Sequence, residues 1–336
     1  MEKSKRISYS QAINDATSQA MKMSKDVIIM GQLIDYSSGV FGTTSGLINK
    51  FGEKRVKDFP AAESLMTQAG VGAALAGQRV LLVHIRIDFM IYSLDSIVNW
   101  LSMWRFKSNR ESNVPVVIRA IVGRGWGQGP QHSQSLESIF AHIPGIKVVM
   151  PSSPYDAKGL FVSSVRDNNP VIYIDDRWLY EIEEEVPDDM YEVKIGTADI
   201  KKSGEDITII SNSYMTELAL LASNRLSSIG VDAEIVDLRT IKPLDAPTIV
   251  NSVRKTGAIL VLDGGWKSFG ISSEIISIVV ESSIAHLKFV PGRVTLPDAP
   301  APTSKVLEEC YYPTTEVIVQ KVKSILEKKI ERNYEV

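Results

Sequence analysis

Short apolar runs, several apolar at every position, alternate with longer amphipathic stretches along most of the chain, and this rhythm restricts it to an α/β architecture. A strand that is apolar on both faces must be covered on both. Parallel strands crossed by helices meet that demand, whereas antiparallel sheets commonly leave one face in water. In the first half such runs lie at 27–30, 79–85, 114–121, 146–150 and 171–174, with helices expected over 61–76, 90–106 and 155–165. Near Tyr180 the rhythm stops in a charged stretch, EIEEEVPDDMYEVKIGTADIKKSGED, which reads as the passage between two domains. It then resumes with strands at 207–211, 233–238 and 258–263, helices at 214–229, 244–253 and 271–280, and a final helix over 303–328. The expected division is a first α/β domain over 1–185, a linker over 186–204 and a second α/β domain over 205–336.

A length of 336 residues suits two domains of roughly 100 to 200 residues each. Lys and Arg number 37 against 40 Asp and Glu, so the net charge of -3 gives no reason to expect nucleic acid as a partner. No uninterrupted apolar stretch reaches the length of a membrane span, and the polar opening MEKSKRISYSQAINDATSQ lacks the apolar run of a signal peptide, which predicts a cytoplasmic protein. The single cysteine, Cys310, excludes an intrachain disulfide and a thiolate-rich metal site.

Candidate chemistry concentrates in three places. Glu63 lies in DFPAAES at the start of a helix of small and apolar residues. It is either a first-turn acid favoured by the helix dipole or a carboxylate whose buried setting alters its proton affinity. The glycine cluster GRGWGQGPQH, 123–132, has the wrong spacing for a dinucleotide fingerprint and leads towards an expected helix at 133–140. At its end His132 can relay a proton or simply order the loop, with Ser133 and Gln134 placed to fix its ring. DGGWKSFG, from Asp263, offers backbone donors for an anion or a structural turn.

Taken together, DFPAAES, Asp88-Phe89, GPQHSQSLESIFAHIPGIKVVMPSSPYDAKGL and RDNNPVIYIDD, followed by VDLRTIKPLD, LDGGWKSFGISSEI and RVTLPDAPAPTSKVLEECYYP, resemble the beta subunits of thiamin-diphosphate-dependent 2-oxoacid dehydrogenases from end to end. The resemblance implies a pyrimidine-binding α/β domain followed by a transketolase C-terminal-like domain. It implies thiamin diphosphate as cofactor, with Glu63 against the aminopyrimidine ring nitrogen, Phe89 packed on the pyrimidine, and His132 near the substrate or the acyl acceptor. No GDG motif of the diphosphate-binding kind occurs. An alpha-like subunit is therefore expected to hold the diphosphate and Mg²⁺ in an α2β2 heterotetramer, with a lipoyl domain as acceptor and activity dependent on that partner. The alternative is a two-subunit carboligase or transketolase-like enzyme that passes its acyl unit to an aldehyde.

The chain departs from the family pattern at several points. Gln32 in Gly31-Gln32-Leu33 stands where relatives carry an acid beside the cofactor pocket, and Val83 stands where they carry a second one. Gln32 can hydrogen-bond there but cannot exchange a proton as a glutamate can. Arg86, Arg119, Arg124 and Trp126 surround the motif-bearing segments, and an arginine entering the pocket would suit a carboxylate or phosphate on the substrate.

Overall fold

A computed structural model describes residues 4–330. Its main sheet has seven strands in the order Thr240–Lys242, Lys147–Val149, Val171–Asp176, Val116–Val122, Arg79–His84, Val27–Gly31 and Val56–Asp58. All neighbours are parallel except Thr240–Lys242, which runs antiparallel to Lys147–Val149. The five strands expected in the first half are present, each within two residues of its sequence-derived bounds.

Alternation of side chains explains how these strands are covered. Val27, Ile29, Leu81 and Val83 pack with Ile13 of helix Tyr9–Met23 and Leu160 of helix Pro154–Arg166. Ile28, Met30, Val80 and Leu82 point to the opposite face, where they join Met66, Val71 and Ala74 of helix Glu63–Leu75. Gly70 allows that helix to lie close, since a Cβ there would come within 2.8 Å of Leu82.

A second sheet runs in the order Gly292–Leu296, Ile259–Trp266, Ile207–Ser211, Ala233–Asp237 and Asp199–Lys202, with only the last strand antiparallel to its neighbour. One apolar core is continuous between the two sheets: Met66, Leu101 and Ile143 belong to the same cluster as Val236, Ile249 and Ile275.

Three expectations are corrected. The segment 186–204 is no bare linker: Glu183–Pro187 pairs with the N-terminal strand Ser4–Ser8, and Asp199–Lys202 edges the second sheet. The helix expected over 90–106 is broken into Ile87–Met90, a tight turn Ile91–Ser93, a wide π-type turn Ser96–Leu101 and helix Ser102–Lys107. The final helix divides into Lys305–Tyr311 and Thr315–Leu326, the second opened by the Thr314 side chain capping Val317 N–H, with Pro313 lying between them. No helix among the described residues is long and apolar enough to cross a membrane.

Candidate active site

The candidate residues leave the sheet at the same edge. Glu63 follows strand Val56–Asp58, Gln32 follows Val27–Gly31, Phe89 follows Arg79–His84, and His132 ends the loop after Val116–Val122. These are neighbouring parallel strands, and the crevice beyond the C-terminal ends of such strands is where an open α/β sheet gathers a site from distant segments.

Gln32 donates its side-chain amide to Glu63 Oε1 at 3.1 Å. Gly31 must be glycine for this approach, because a Cβ would lie 2.8 Å from Val83 Cβ. Both Gln32 and Glu63 are half-buried, so the enclosed surroundings expected for Glu63 are not provided by this chain alone. Behind Glu63 a buried hydroxyl chain ties its helix to the Phe89 segment. Ser93 Oγ donates to the Glu63 carbonyl at 2.9 Å, Thr67 Oγ1 donates to Ser93 Oγ at 2.8 Å, and Thr67 Oγ1 lies 3.2 Å from His84 Nε2. Burial lowers the His84 pKa to about 3, so this ring is neutral.

Phe89 and His132 meet edge to face with ring centroids 5.3 Å apart. Gln134 does not hold the His132 ring as expected. Its backbone N–H and side-chain amide both donate to Asp88 Oδ1 at 3.0 Å, which anchors the histidine loop to the residue before Phe89. Burial raises the Asp88 pKa against the opposing pull of those bonds. Residues 133–136 are not helical, and the short helix expected over 133–140 instead begins at Glu137 and ends at His142. The structure thus brings Gln32 to Glu63 and Phe89 to His132. Ser93, which links the two groups, carried no sequence signal.

The arginines separate into two classes. Arg119 forms a bidentate pair with Asp175, at 3.0 and 2.7 Å, and donates to Thr43 Oγ1, so it is a core residue rather than a pocket cation. Arg124 pairs with Asp176 at 2.9 Å beneath Trp178 and Tyr312. Arg86 has no ion pair with a carboxylate among the described residues. In the second domain the backbone donors near Asp263 are taken by Asp263 itself, which accepts from Gly265 N–H at 2.9 Å and Ser272 N–H at 3.0 Å. A cavity of about 840 Å³ lies between the glycine loop and the second domain, lined by Trp126, Trp178, Tyr214 and Tyr312 among others. None of Gln32, Glu63, Phe89 and His132 lines it.

Residues 5–182 match the transketolase pyrimidine-binding domain and residues 196–318 the transketolase C-terminal domain. The chain is 39% identical to the acetoin:2,6-dichlorophenolindophenol oxidoreductase subunit beta of Cupriavidus necator, over 92% of this chain and 94% of that one. It is 39% identical to the 2-oxoisovalerate dehydrogenase subunit beta of Bacillus subtilis, over 91% and 94%. It is 38% identical to the pyruvate dehydrogenase E1 component subunit beta of Staphylococcus aureus, over 94% and 98%. A solved split-gene transketolase, described as an inactive beta4 tetramer, shares the fold with a TM-score of 0.79 at 20% identity, covering 96% of this chain and 99% of that chain. On this domain order and these identities across nearly the whole chain, the protein belongs to the beta-subunit family of thiamin-diphosphate-dependent 2-oxoacid dehydrogenases, within the transketolase superfamily.

Proposed function

We propose that this subunit forms the pyrimidine side of a composite thiamin-diphosphate site, shared with an alpha-like partner, in an enzyme that decarboxylates a 2-oxo acid and passes the acyl unit to a lipoyl group. The observation that carries the reading is the Gln32–Glu63 pair standing beside the Phe89–His132 pair at one edge of the sheet. The residues fit the cofactor. Glu63 has one oxygen held by an amide while its half-buried carboxylate stays open to a ring nitrogen, and Phe89 presents a half-buried aromatic surface on the far side of the strand that carries Gln32. When bound, thiamin diphosphate supplies the nucleophilic carbon and the electron sink for breaking a bond next to a carbonyl.

Glu63 would share a proton with the pyrimidine nitrogen, Gln32 would fix the carboxylate's rotation, and Phe89 would orient the ring. His132, backed by Phe89 and carried on a loop anchored to Asp88, would donate to or accept from the substrate or the incoming acceptor. The diphosphate and Mg²⁺ are assigned to the partner, since the sequence carries no GDG motif of the diphosphate-binding kind. Tyr92, Trp100, Met103 and Phe106, all exposed on the segment following Phe89, form the apolar surface that association would cover. The expected assembly is an α2β2 heterotetramer.

The relatives' printed activities differ among acetoin, 2-oxoisovalerate and pyruvate at almost equal identity, so similarity does not select the substrate. The test is reconstitution with the alpha-like subunit, thiamin diphosphate and Mg²⁺. Decarboxylation of a 2-oxo acid with acylation of a lipoyl domain is the expected result. A carbon–carbon coupled product from an aldehyde, with no acyl-lipoyl product in the presence of a competent lipoyl domain, would establish the carboligase reading instead.

A further inference from the structure

Two arginines leave the same sheet edge on either side of the loop that carries His132. Arg86 comes two residues after strand Arg79–His84, and Arg177 directly follows Val171–Asp176; strand Val116–Val122 lies between them. Both guanidinium groups converge on Phe41, with Arg177 4.0 Å and Arg86 5.2 Å from the ring centroid. Trp126 lies on Arg177 as well, its ring centroid 4.8 Å away. The result is a cluster of two cations and two aromatic rings in which neither arginine has an ion-pair partner among the described residues.

Its setting makes that lack of an ion pair significant. Arg86 is only 8% exposed, donates to the Ile85 carbonyl and the Gln128 side chain at 2.9 Å each, and keeps a buried Nε with no partner. Burial and the nearby Arg177 both lower its pKa against the opposing pull of Asp88, which forms no ion pair with it. The other two buried arginines at this edge, Arg119 and Arg124, each have an aspartate. Trp126 holds its place over Arg177 with φ at +54°, a backbone conformation that a bulky residue keeps only where its surroundings impose it.

The cluster also adjoins the proposed chemistry. Gln128, the acceptor for Arg86, is four residues before His132 on the same loop, and Arg86 is three residues before Phe89. Strands are spaced by about 4.8 Å, so the strand bearing Arg86 leaves the sheet roughly 10 Å from the strand leading to Glu63, and the strand bearing Arg177 is two further steps away. A guanidinium fork offers paired donors to a carboxylate or phosphate, and aromatic stacking holds the fork without consuming those donors.

We propose that Arg86 and Arg177 bind a carboxylate or phosphate carried by the substrate away from its reacting carbonyl. The assignment rests on the functional reading above and deepens it: the preferred substrate has a second anionic group.

Direct binding and substrate preference test it separately. The full chain is titrated with succinate and, in a second arm, with inorganic phosphate, following Trp fluorescence and heat. Saturable binding of at least one anion is expected, weakened about tenfold or more in Arg177→Gln and less in Arg177→Lys, which keeps charge but loses the fork. In the reconstituted enzyme, kcat/KM is compared among 2-oxobutyrate, 2-oxoglutarate and a 2-oxo acid bearing a terminal phosphate ester. One anionic substrate should exceed 2-oxobutyrate by about tenfold or more, with Arg177→Gln collapsing that ratio. Which anionic arm responds identifies the group.

No saturable anion binding by wild-type chain, or equal binding by Arg177→Gln, overturns the proposal. So does loss of alpha-subunit association in Arg177→Gln with anion affinity unchanged, which would make the cluster a subunit contact. Turnover without anionic preference rejects the proposal and leaves the enzyme assignment standing. Absence of any 2-oxo acid turnover rejects the enzyme assignment, while the titrations still decide the anion site.

Discussion

The side-chain amide of Gln32 donates to Glu63 Oε1 at 3.1 Å, so an uncharged hydrogen-bond donor steadies the proposed cofactor-activating acid where the family pattern would place a second carboxylate. Gln32→Glu would set two carboxylates face to face, and at this separation they share a proton rather than ionise together. In the reconstituted enzyme the acid limb of the kcat/KM profile should move up by about one pH unit or more. An unmoved profile would show that the two side chains do not meet in the assembled site.

Glu63→Gln retains the size and the bond to position 32 but cannot exchange a proton. Assembly should be preserved, while 2-oxo acid turnover falls by roughly two or more orders of magnitude. Single-turnover decarboxylation at matched cofactor occupancy checks this. Full activity would return Glu63 to the role of a first-turn helix acid.

His84 predicts an acid-side loss of stability. Its folded-state pKa is depressed from 6.5 to about 3, so on acidification the unfolded chain takes up the proton first. Stability from this site is therefore complete above about 6.5 and is lost as pH falls towards 3, with a slope approaching about 1.4 kcal/mol per pH unit. Urea unfolding of wild type and His84→Gln between pH 7 and pH 4.5 should give a shallower pH dependence for the variant. Parallel curves would contradict the neutral buried ring.

Glu137 has the opposite sign. Burial first, and Asp263 across the domain boundary second, push its pKa up from 4.5 to about 7. The folded chain holds this proton more tightly than the unfolded one, so its contribution to stability is present at low pH and is lost as pH rises from 4.5 through 7. Glu137→Gln should gain in melting temperature relative to wild type at pH 8 compared with pH 5. A difference independent of pH would exclude this titration.

Phe106 is 90% exposed on the surface assigned to subunit association. Phe106→Asp should leave the fold of the isolated chain intact and weaken assembly by about tenfold or more. Light scattering coupled to size-exclusion chromatography of the reconstituted complex reads this directly, and undiminished heteromer would move the interface elsewhere.

The central strands were legible because burial on both faces writes itself into every position of a strand such as Val27–Gly31. Glu63, Phe89 and His132 stood out through the order of motifs that the family shares. The three-residue strand Thr240–Lys242 was not legible: it is too short to show a period, and it joins the first sheet from the far side of the domain boundary. The π-type turn at Ser96–Leu101 was hidden in a spacing that reads as an ordinary helix. Arg177 looked like any charged residue after a strand, whereas Arg119 and Arg124 looked equally available for a ligand. Their difference is tertiary, because Asp175 and Asp176 pair with Arg119 and Arg124, whereas Arg86 and Arg177 have no ion-pair partner among the described residues. Local pattern determined the α/β class and the burial of each strand, since those depend on periodicity within a few residues. Strand order decided which distant side chains share one sheet edge and which charges remain unneutralised, since those depend on pairing between segments far apart in the chain.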